Sequence, residues 1–317
     1  MKLFVLRSSR EFGERLARLA GLAVAPHEER EFEDGEFKIR PLEPVHGERV
    51  IVCDALCADA GGSAADKLCR LLVFVGALKD AGAASVQCLI PYLAFARKDR
   101  RTKPQDPVTT RYVAQMFEAV GCDGVAALDV HNVAAFENAF RRPTIHLEAA
   151  PLLARHFVPA ARAVGRTVVL APDGGAVKRA RTFANELEAA GAGAVELAFL
   201  EKSRSEGRVS GDRFAGEVAE ARVIVVDDLV SSGTTLARAA AVAVNGGASE
   251  VHAAVTHGSF SPGAGAQLGP SPFESIVITD SVADARSRCP ELGPKLVVIE
   301  TAELFAEVLQ RLAGPAR

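Results

Sequence analysis

Apolar residues along the chain fall into short, β-branched runs separated by amphipathic stretches, the alternation that builds parallel α/β sheets. The first run, KLFVL from Lys2 to Leu6, precedes SSREFGERLARLAG, where Leu16, Leu19 and Leu22 at helical spacing predict a capped helix ending at or just after Gly21. EFEDGEFKIR, residues 31–40, sets Asp34 and Gly35 between alternating residues and predicts a hairpin turn, because Asp-Gly favours positive φ. RVIVCDAL from Arg49 predicts a strand, followed by a Gly-rich turn, a helix through Leu78 and the stretch AGAASVQCLIPYLAFA. A helix over about Thr109 to Val120 leads into the strand GVAALDVHN, after which periodicity fades from Phe136 to Pro151. The fading places a domain boundary near Ala149.

The second half opens with a helix and the strand around Val168–Leu170, then a tight turn of Asp173, Gly174 and Gly175 and a helix bearing Lys178, Arg179 and Arg181. VELAFLEKSRSEGRVSG predicts a strand ending in a basic Ser/Gly loop. RVIVVDDL, EVHAAVTHGS, SIVITD and KLVVIE read as further strands. An irregular Gly/Pro segment runs from Ser261 to Pro272, and a closing helix starts at about Thr301. RVIVCDAL and RVIVVDDL match each other, and so do the elements after them: Asp54 falls where Asp227 does, Ala55 where Asp228 does, and Gly82 where Gly247 does. An internal duplication predicts two similar α/β domains, residues 1–148 and 149–317, the first with a degenerate copy of the motif in the second.

At 317 residues the length itself favours about two domains. With 49% hydrophobic and 24% charged residues the composition is that of a globular protein, and a net charge of −3 gives no footprint for nucleic acid. No apolar run approaches the ~18 residues of a spanning helix, and residues 1–10 lack a signal peptide's apolar segment. The expectation is a cytoplasmic protein with neither membrane nor nucleic-acid partner. The six cysteines, at positions 53, 57, 69, 88, 122 and 289, form no CxxC pair and read as free thiols in a reducing compartment.

RVIVVDDLVSSGTTL, residues 222–236, carries the most chemistry. A buried strand delivering a Ser/Gly/Thr turn onto a helix start makes an anion site, with backbone N–H groups, the helix's positive end and the hydroxyls of Ser231, Ser232, Thr234 and Thr235 converging. Asp227 and Asp228 would repel that anion, so they face a donor-rich part of the same ligand, such as a ribose diol, or a cation. The stretch suggests a sugar phosphate; the bland alternative is two solvated acids beside a helix cap. The loop ARKDRRTKPQDPVT, with Arg97, Lys98, Arg100, Arg101 and Lys103 at a strand end, is either a solvated surface or a polyphosphate contact. Asp129 and His131 stand at a strand end, where a His can be a metal ligand but is more often a packed or exposed bystander. The basic loop holding Lys202, Arg204 and Arg208 reads either as disorder or as a lid that brings cations to developing charge. No GxxxxGK[ST] occurs, and GAGAVE at Gly191 follows a helix, which argues against P-loop and dinucleotide-binding enzymes.

Taken in order, FEDGE, ARKDRRTKP with DPVTTRYVA, LDVH, PDGGAVKRA, EKSR, VVDDLVSSGTTL, THG and the ITD strand resemble the ribose-phosphate pyrophosphokinases, nearly end to end and near that family's spacings. The resemblance implies an α/β fold of two phosphoribosyltransferase-like domains, each a mostly parallel sheet flanked by helices. It implies Mg²⁺-dependent transfer of ATP's pyrophosphoryl group to the C1 hydroxyl of ribose 5-phosphate, leaving AMP. The implied ATP positions are Phe32, Asp34, Gly35, Glu36, Arg97 and Lys98, and the metal positions are His131 and Asp173. Lys202 and Arg204 fall on the family's catalytic loop. Asp227, Asp228, Ser231, Ser232, Gly233, Thr234 and Thr235 fall on its ribose 5-phosphate site. The resemblance also implies a homo-oligomer, at least a dimer.

Four positions depart from the family pattern: Lys98 stands where it usually has Gln, Ser231 where it often has Asp, Thr234 where it often has Gly, and Ala176 where the PDxGG turn has its second Gly. At Thr234 a Cβ is expected to block a positive-φ backbone or crowd the phosphate, unless the hydroxyl replaces a backbone contact. Two other functions stay in view. A silent homologue that regulates a synthetase is disfavoured by the intact His131, Asp173, Lys202, Arg204 and Asp227–Asp228 set. A phosphoribosyltransferase is disfavoured by the second domain and the FEDGE turn.

Overall fold

The computed structural model describes residues 1–163, 165–205 and 208–313, with the backbone alone for residues 163, 201–205 and 208–214. Two compact units share the chain: residues 1–147 with 281–283 and 301–317, and residues 148–280 with 284–300.

The first unit runs β1 (Lys2–Val5), α1 (Arg10–Ala20), β2 (His27–Glu31), β3 (Phe37–Pro41), β4 (Arg49–Cys53), α2 (Ala64–Asp80), β5 (Ser85–Ile90), α3 (Thr109–Ala119), β6 (Gly124–Leu128), α4 (Val133–Ala139) and β7 (Thr144–Leu147). Its sheet has the order β1-β4-β5-β6-β7, all parallel, with Val52 opposite Phe4 and Cys88. β6 is buried at every residue because helices cover both faces of a parallel sheet. β2 and β3 form a separate antiparallel ribbon, the hairpin signalled by Asp-Gly.

The second unit runs α5 (Ala150–Ala163), β8 (Thr167–Ala171), α6 (Val177–Ala189), β9 (Val195–Ser205), β10 (Arg208–Ala215), β11 (Arg222–Val230), α7 (Thr234–Asn245), β12 (Glu250–Gly258), α8 (Ala264–Leu268), β13 (Ser275–Thr279), α9 (Ala285–Arg288) and β14 (Leu296–Ile299). Its sheet is ordered β10-β9-β8-β11-β12-β13-β14, parallel except for the antiparallel β9–β10 pair. Ala239, Ala240 and Ala243 are fully buried on α7, small side chains that let the helix lie close on the sheet.

The duplication reaches down to backbone hydrogen bonds. Before β4, Gly47 N donates to Gly82 O and Ala84 N to Glu48 O; before β11, Glu220 N donates to Gly247 O and Ser249 N to Ala221 O. Gly82 and Gly247 end their helices at φ of 84° and 87°, and Glu220 holds a φ of 58° where Gly47 has 73°. Three segments differ from the sequence-based expectation. The aperiodic stretch after Phe136 contains the rest of α4 and all of β7, and the Gly/Pro segment contains α8, elements too short to show a period. The EKSR stretch continues β9 instead of leaving it as a loop.

A last helix, α10 (Ala302–Ala313), packs on α1 and belongs to the first unit, with the rings of Phe12 and Phe305 edge to face at 5.4 Å. The six cysteines are free, five of them buried. Among the described residues no helix is long and apolar enough to cross a membrane.

Candidate active site

β11 carries its apolar run to the carboxyl end of the second sheet and delivers Asp227 and Asp228 there. Asp228 is 6% exposed, and its N–H donates to Asp227 Oδ1 at 2.9 Å. Arg179 Nη1, from the first turn of α6, stands 3.8 Å from Asp227 Oδ1 and 3.6 Å from Asp228 Oδ1. Burial pushes Asp227 up to about 7, the neighbouring Asp228 charge adds to the rise, and Arg179 pulls it back. α6 is launched by the Asp173 turn, in which Asp173 Oδ1 accepts from Gly175 N at 2.9 Å. Arg238 of α7 donates to Pro172 O at 3.2 Å, tying that turn to the next helix.

Arg179 and Arg238 were not among the site residues expected from sequence. The available signal was that Lys178 and Arg179 put positive charge in the first turn of α6, where the helix dipole disfavours it. That placement needs a compensating partner, and the acid pair is one.

After β11 the chain turns through Ser231, Ser232 and Gly233 into α7. Gly233 has a φ of 79°, and a Cβ there would lie 2.5 Å from Leu268 Cγ, so both conformation and space demand glycine. Ser261 N donates to Ser231 O at 3.1 Å, which fixes the turn from the other side. Ser232 Oγ lies 3.2 Å from Thr234 Oγ1, with Thr235 next along the helix. The backbone block expected at Thr234 does not arise: the positive φ belongs to Gly233, and Thr234 is the first residue of α7. Ala176 is equally unstrained, with a φ of −86° at the start of α6.

In the first unit the FEDGE turn closes with Phe32 N donating to Glu36 O at 2.8 Å and Glu36 N to Asp34 Oδ1 at 3.1 Å. Gly35 takes a φ of 87°, and Phe32 is 42% exposed with the Arg30 guanidinium 5.2 Å from its ring centre. An exposed aromatic of this kind is a platform for a planar ring. The basic loop leaves β5 with Arg97 exposed and Lys98 partly covered. Asn132 Nδ2 donates to Asp99 Oδ2 at 2.6 Å, bringing the loop against the segment that carries His131, whose side chain is exposed past the end of β6. Two of the expected subsites, the basic loop and His131, are thus adjacent. Asp129 between them holds a φ of 37° and donates its N–H to Leu147 O.

The first unit's counterpart of Asp227 is buried and engaged by the chain's own serines. Asp54 Oδ1 accepts from Ser8 Oγ at 2.5 Å and Ser9 Oγ at 2.9 Å, and Ala55 N donates to Ser9 Oγ at 2.8 Å. Burial raises Asp54 to about 6 against the pull of those hydroxyls and of Lys67. In the second unit the same strand end leads instead into the turn of Ser231, Ser232 and Gly233.

His131 belongs to the first unit and Asp173 to the second. Lys202 and Arg204 lie on β9, with Lys202 opposite Asp212 and Arg204 opposite Val209, but their side chains fall outside the described residues.

A parallel sheet whose central strand hands two acids and a hydroxyl-rich turn to a helix defines a protein of the phosphoribosyltransferase type. Residues 160–269 match the phosphoribosyl transferase domain, and residues 1–121 match the N-terminal domain of ribose phosphate pyrophosphokinase. The chain is 35% identical to a putative ribose-phosphate pyrophosphokinase 1 of Enterococcus faecalis, over 98% of this chain and 92% of that one. It is 34% identical to the ribose-phosphate pyrophosphokinase of Caldanaerobacter subterraneus, over 98% and 94%. The crystal structure of phosphoribosylpyrophosphate synthetase from Mycobacterium smegmatis superposes with a TM-score of 0.87, covering 98% of both chains at 27% identity. The chain belongs to the ribose-phosphate pyrophosphokinase family.

Proposed function

We propose that the protein transfers the β,γ-pyrophosphoryl group of ATP to the C1 hydroxyl of ribose 5-phosphate. The C1 oxygen bonds to the β-phosphorus as the bond from that phosphorus to the α,β-bridging oxygen breaks; the hydroxyl proton passes to solvent, and AMP leaves. The observation that carries the reading is the end of β11, where the acid pair and the Ser231–Thr235 turn meet at the start of α7. There the turn's N–H and hydroxyl groups hold the 5-phosphate, while Asp227 and Asp228 accept from the ribose hydroxyls. Phe32, Asp34, Gly35, Glu36 and Arg97 serve the nucleotide: the aromatic face stacks on the base, the acids accept from its polar groups, and the cation faces phosphate.

Phosphoryl-type transfer needs positioning and charge stabilisation more than a strong base. Lys202 and Arg204 supply cations at the transferred group, a role that rests on the family resemblance. Mg²⁺ keeps several waters and takes one or two protein carboxylates together with substrate phosphates, so the partly exposed Asp173 at its turn suits it; the metal role of His131 rests on the family resemblance alone. When bound, the ion neutralises phosphate charge. The free thiols support a cytoplasmic location, and the family likeness supports a homo-oligomer of at least two chains.

Incubating the protein with ATP, Mg²⁺ and ribose 5-phosphate tests the proposal. AMP should form only when ribose 5-phosphate is present; no AMP across a range of divalent cations and nucleotide donors removes the reading.

A further inference from the structure

The basic loop between β5 and α3 is built around a single carboxylate oxygen. Asp106 Oδ2 accepts from Lys98 Nζ at 2.5 Å, Thr102 Oγ1 at 2.7 Å, Lys103 N at 2.9 Å and Thr102 N at 3.0 Å. Lys98 Nζ spends a second hydrogen on Thr102 Oγ1 at 2.9 Å, and Arg101 Nε donates to the Asp106 carbonyl at 3.2 Å. The far end is tied to the near end as well, since Thr110 N donates to Lys98 O. Gln105, next to Asp106, is held at a φ of 66°, a conformation that persists in a non-glycine residue only where its surroundings enforce it.

Five cations within seven residues, Arg97, Lys98, Arg100, Arg101 and Lys103, repel one another and by themselves extend a loop. Asp106 opposes that repulsion from inside. Two of the three ammonium hydrogens of Lys98 are committed within the loop, whereas Arg97, Arg100 and Lys103 are exposed.

We propose that Asp106 positions the basic loop of the nucleotide site, and that Lys98 acts through Asp106 instead of touching the nucleotide. The residue that departs from the family's usual Gln is then a strut, and Arg97 beside it is the cation offered to phosphate. This inference rests on the ATP reading of the loop.

A double-mutant cycle on Asp106→Asn and Lys98→Gln tests it, with KM for ATP, KM for ribose 5-phosphate, kcat and melting temperature measured for each variant. Each single change should raise KM for ATP about tenfold, the double variant should be no worse than either, and KM for ribose 5-phosphate should hold. Asp106→Glu should recover part of the loss. If Asp106→Asn leaves KM for ATP unchanged or lowers it while Lys98→Gln raises it, Lys98 touches the nucleotide and the proposal fails. Equal losses in both KM values and kcat with a lower melting temperature would make Asp106 a general structural residue, which also overturns it. Limited trypsin digestion without ligand gives a readout that does not depend on activity: cleavage after Arg97, Arg100 and Arg101 should be faster in both single variants, and unchanged rates refute the strut. A wild-type loop that resists trypsin in a protein making no ribose 5-phosphate-dependent AMP sinks the ATP reading while leaving the hold of Asp106 on the loop intact.

Discussion

Arg179 Nη1 lies 3.8 Å from Asp227 Oδ1, near enough to favour the ionised carboxylate without a direct hydrogen bond. Burial and the Asp228 charge raise Asp227 to about 7, and Arg179 opposes them. An ionised carboxylate accepts from both hydroxyls of a diol, and a protonated one loses that capacity. The efficiency kcat/KM for ribose 5-phosphate should therefore rise with pH through about 7 and level off above. Arg179→Gln removes the opposing charge, so the midpoint should move upward, with a loss of about tenfold at neutral pH that is largely recovered near pH 9. A loss equal at every pH would assign Arg179 a different task.

Asp54 makes the opposite demand on stability. Its carboxyl titrates at about 6 in the fold against a usual value of 3.8, so its contribution is fully present below about pH 4 and is lost as pH rises through 6. Asp54→Asn keeps an oxygen for Ser8 and Ser9 and carries no charge to desolvate. Urea denaturation should show the variant more stable than wild type at about pH 8, by up to about 3 kcal/mol, with the difference gone below about pH 4.

Gly233→Ala places a methyl group 2.5 Å from Leu268 Cγ on a backbone with positive φ. The variant should lose about 2 kcal/mol of stability and bind ribose 5-phosphate at least tenfold more weakly, since the turn cannot shift without moving its N–H groups. Calorimetric titration with ribose 5-phosphate and a thermal melt check both; unaltered affinity would separate the turn from the sugar phosphate.

Lys202→Ala should lower turnover by about two to three orders of magnitude, the loss typical of a charge-stabilising donor, with little change in affinity for ribose 5-phosphate. Near-normal turnover in a stopped assay for AMP would remove Lys202 from that role.

Phe305 is fully buried in the first unit, edge to face with Phe12. Phe305→Ala should destabilise that unit by about 3 to 5 kcal/mol. Hydrogen exchange should show the added opening in α1 and β1, although the substitution lies near the other end of the sequence.

How much of this was legible in the sequence depended on how local each signal is. The FEDGE turn and the helix end at Gly21 are set by neighbouring residues, and both formed as the pattern foretold. Asp227, Asp228 and the Ser/Gly/Thr turn are contiguous, so their convergence needed only a strand before them and a helix after. Arg179 is different: it reaches the acid pair from another helix, and only its awkward place in the first turn of α6 hinted at a partner. The role of Asp106 was equally hidden, since Asp99 and Asp106 sit in the same basic run and no period tells which of them holds the loop. β7 and α4 were too short to declare themselves, and the pairing of β9 with β10 joins Ser, Gly and charged residues that show no alternation.

The attachment of α10 to the first unit has a consequence for how the chain folds during synthesis. The ribosome completes β1 through β7 early, but the helix that packs on Phe12 emerges only after the whole second unit has been made. Until then Phe12 and its neighbours on α1 face solvent, and the nascent first unit is an unfinished core on which the rest of the chain is being threaded out. A premature stop after Ile299 would leave the second sheet with all its strands and deprive the first unit of α10, so a loss beyond residue 299 should be felt as misfolding around α1, nearly three hundred residues earlier in the chain.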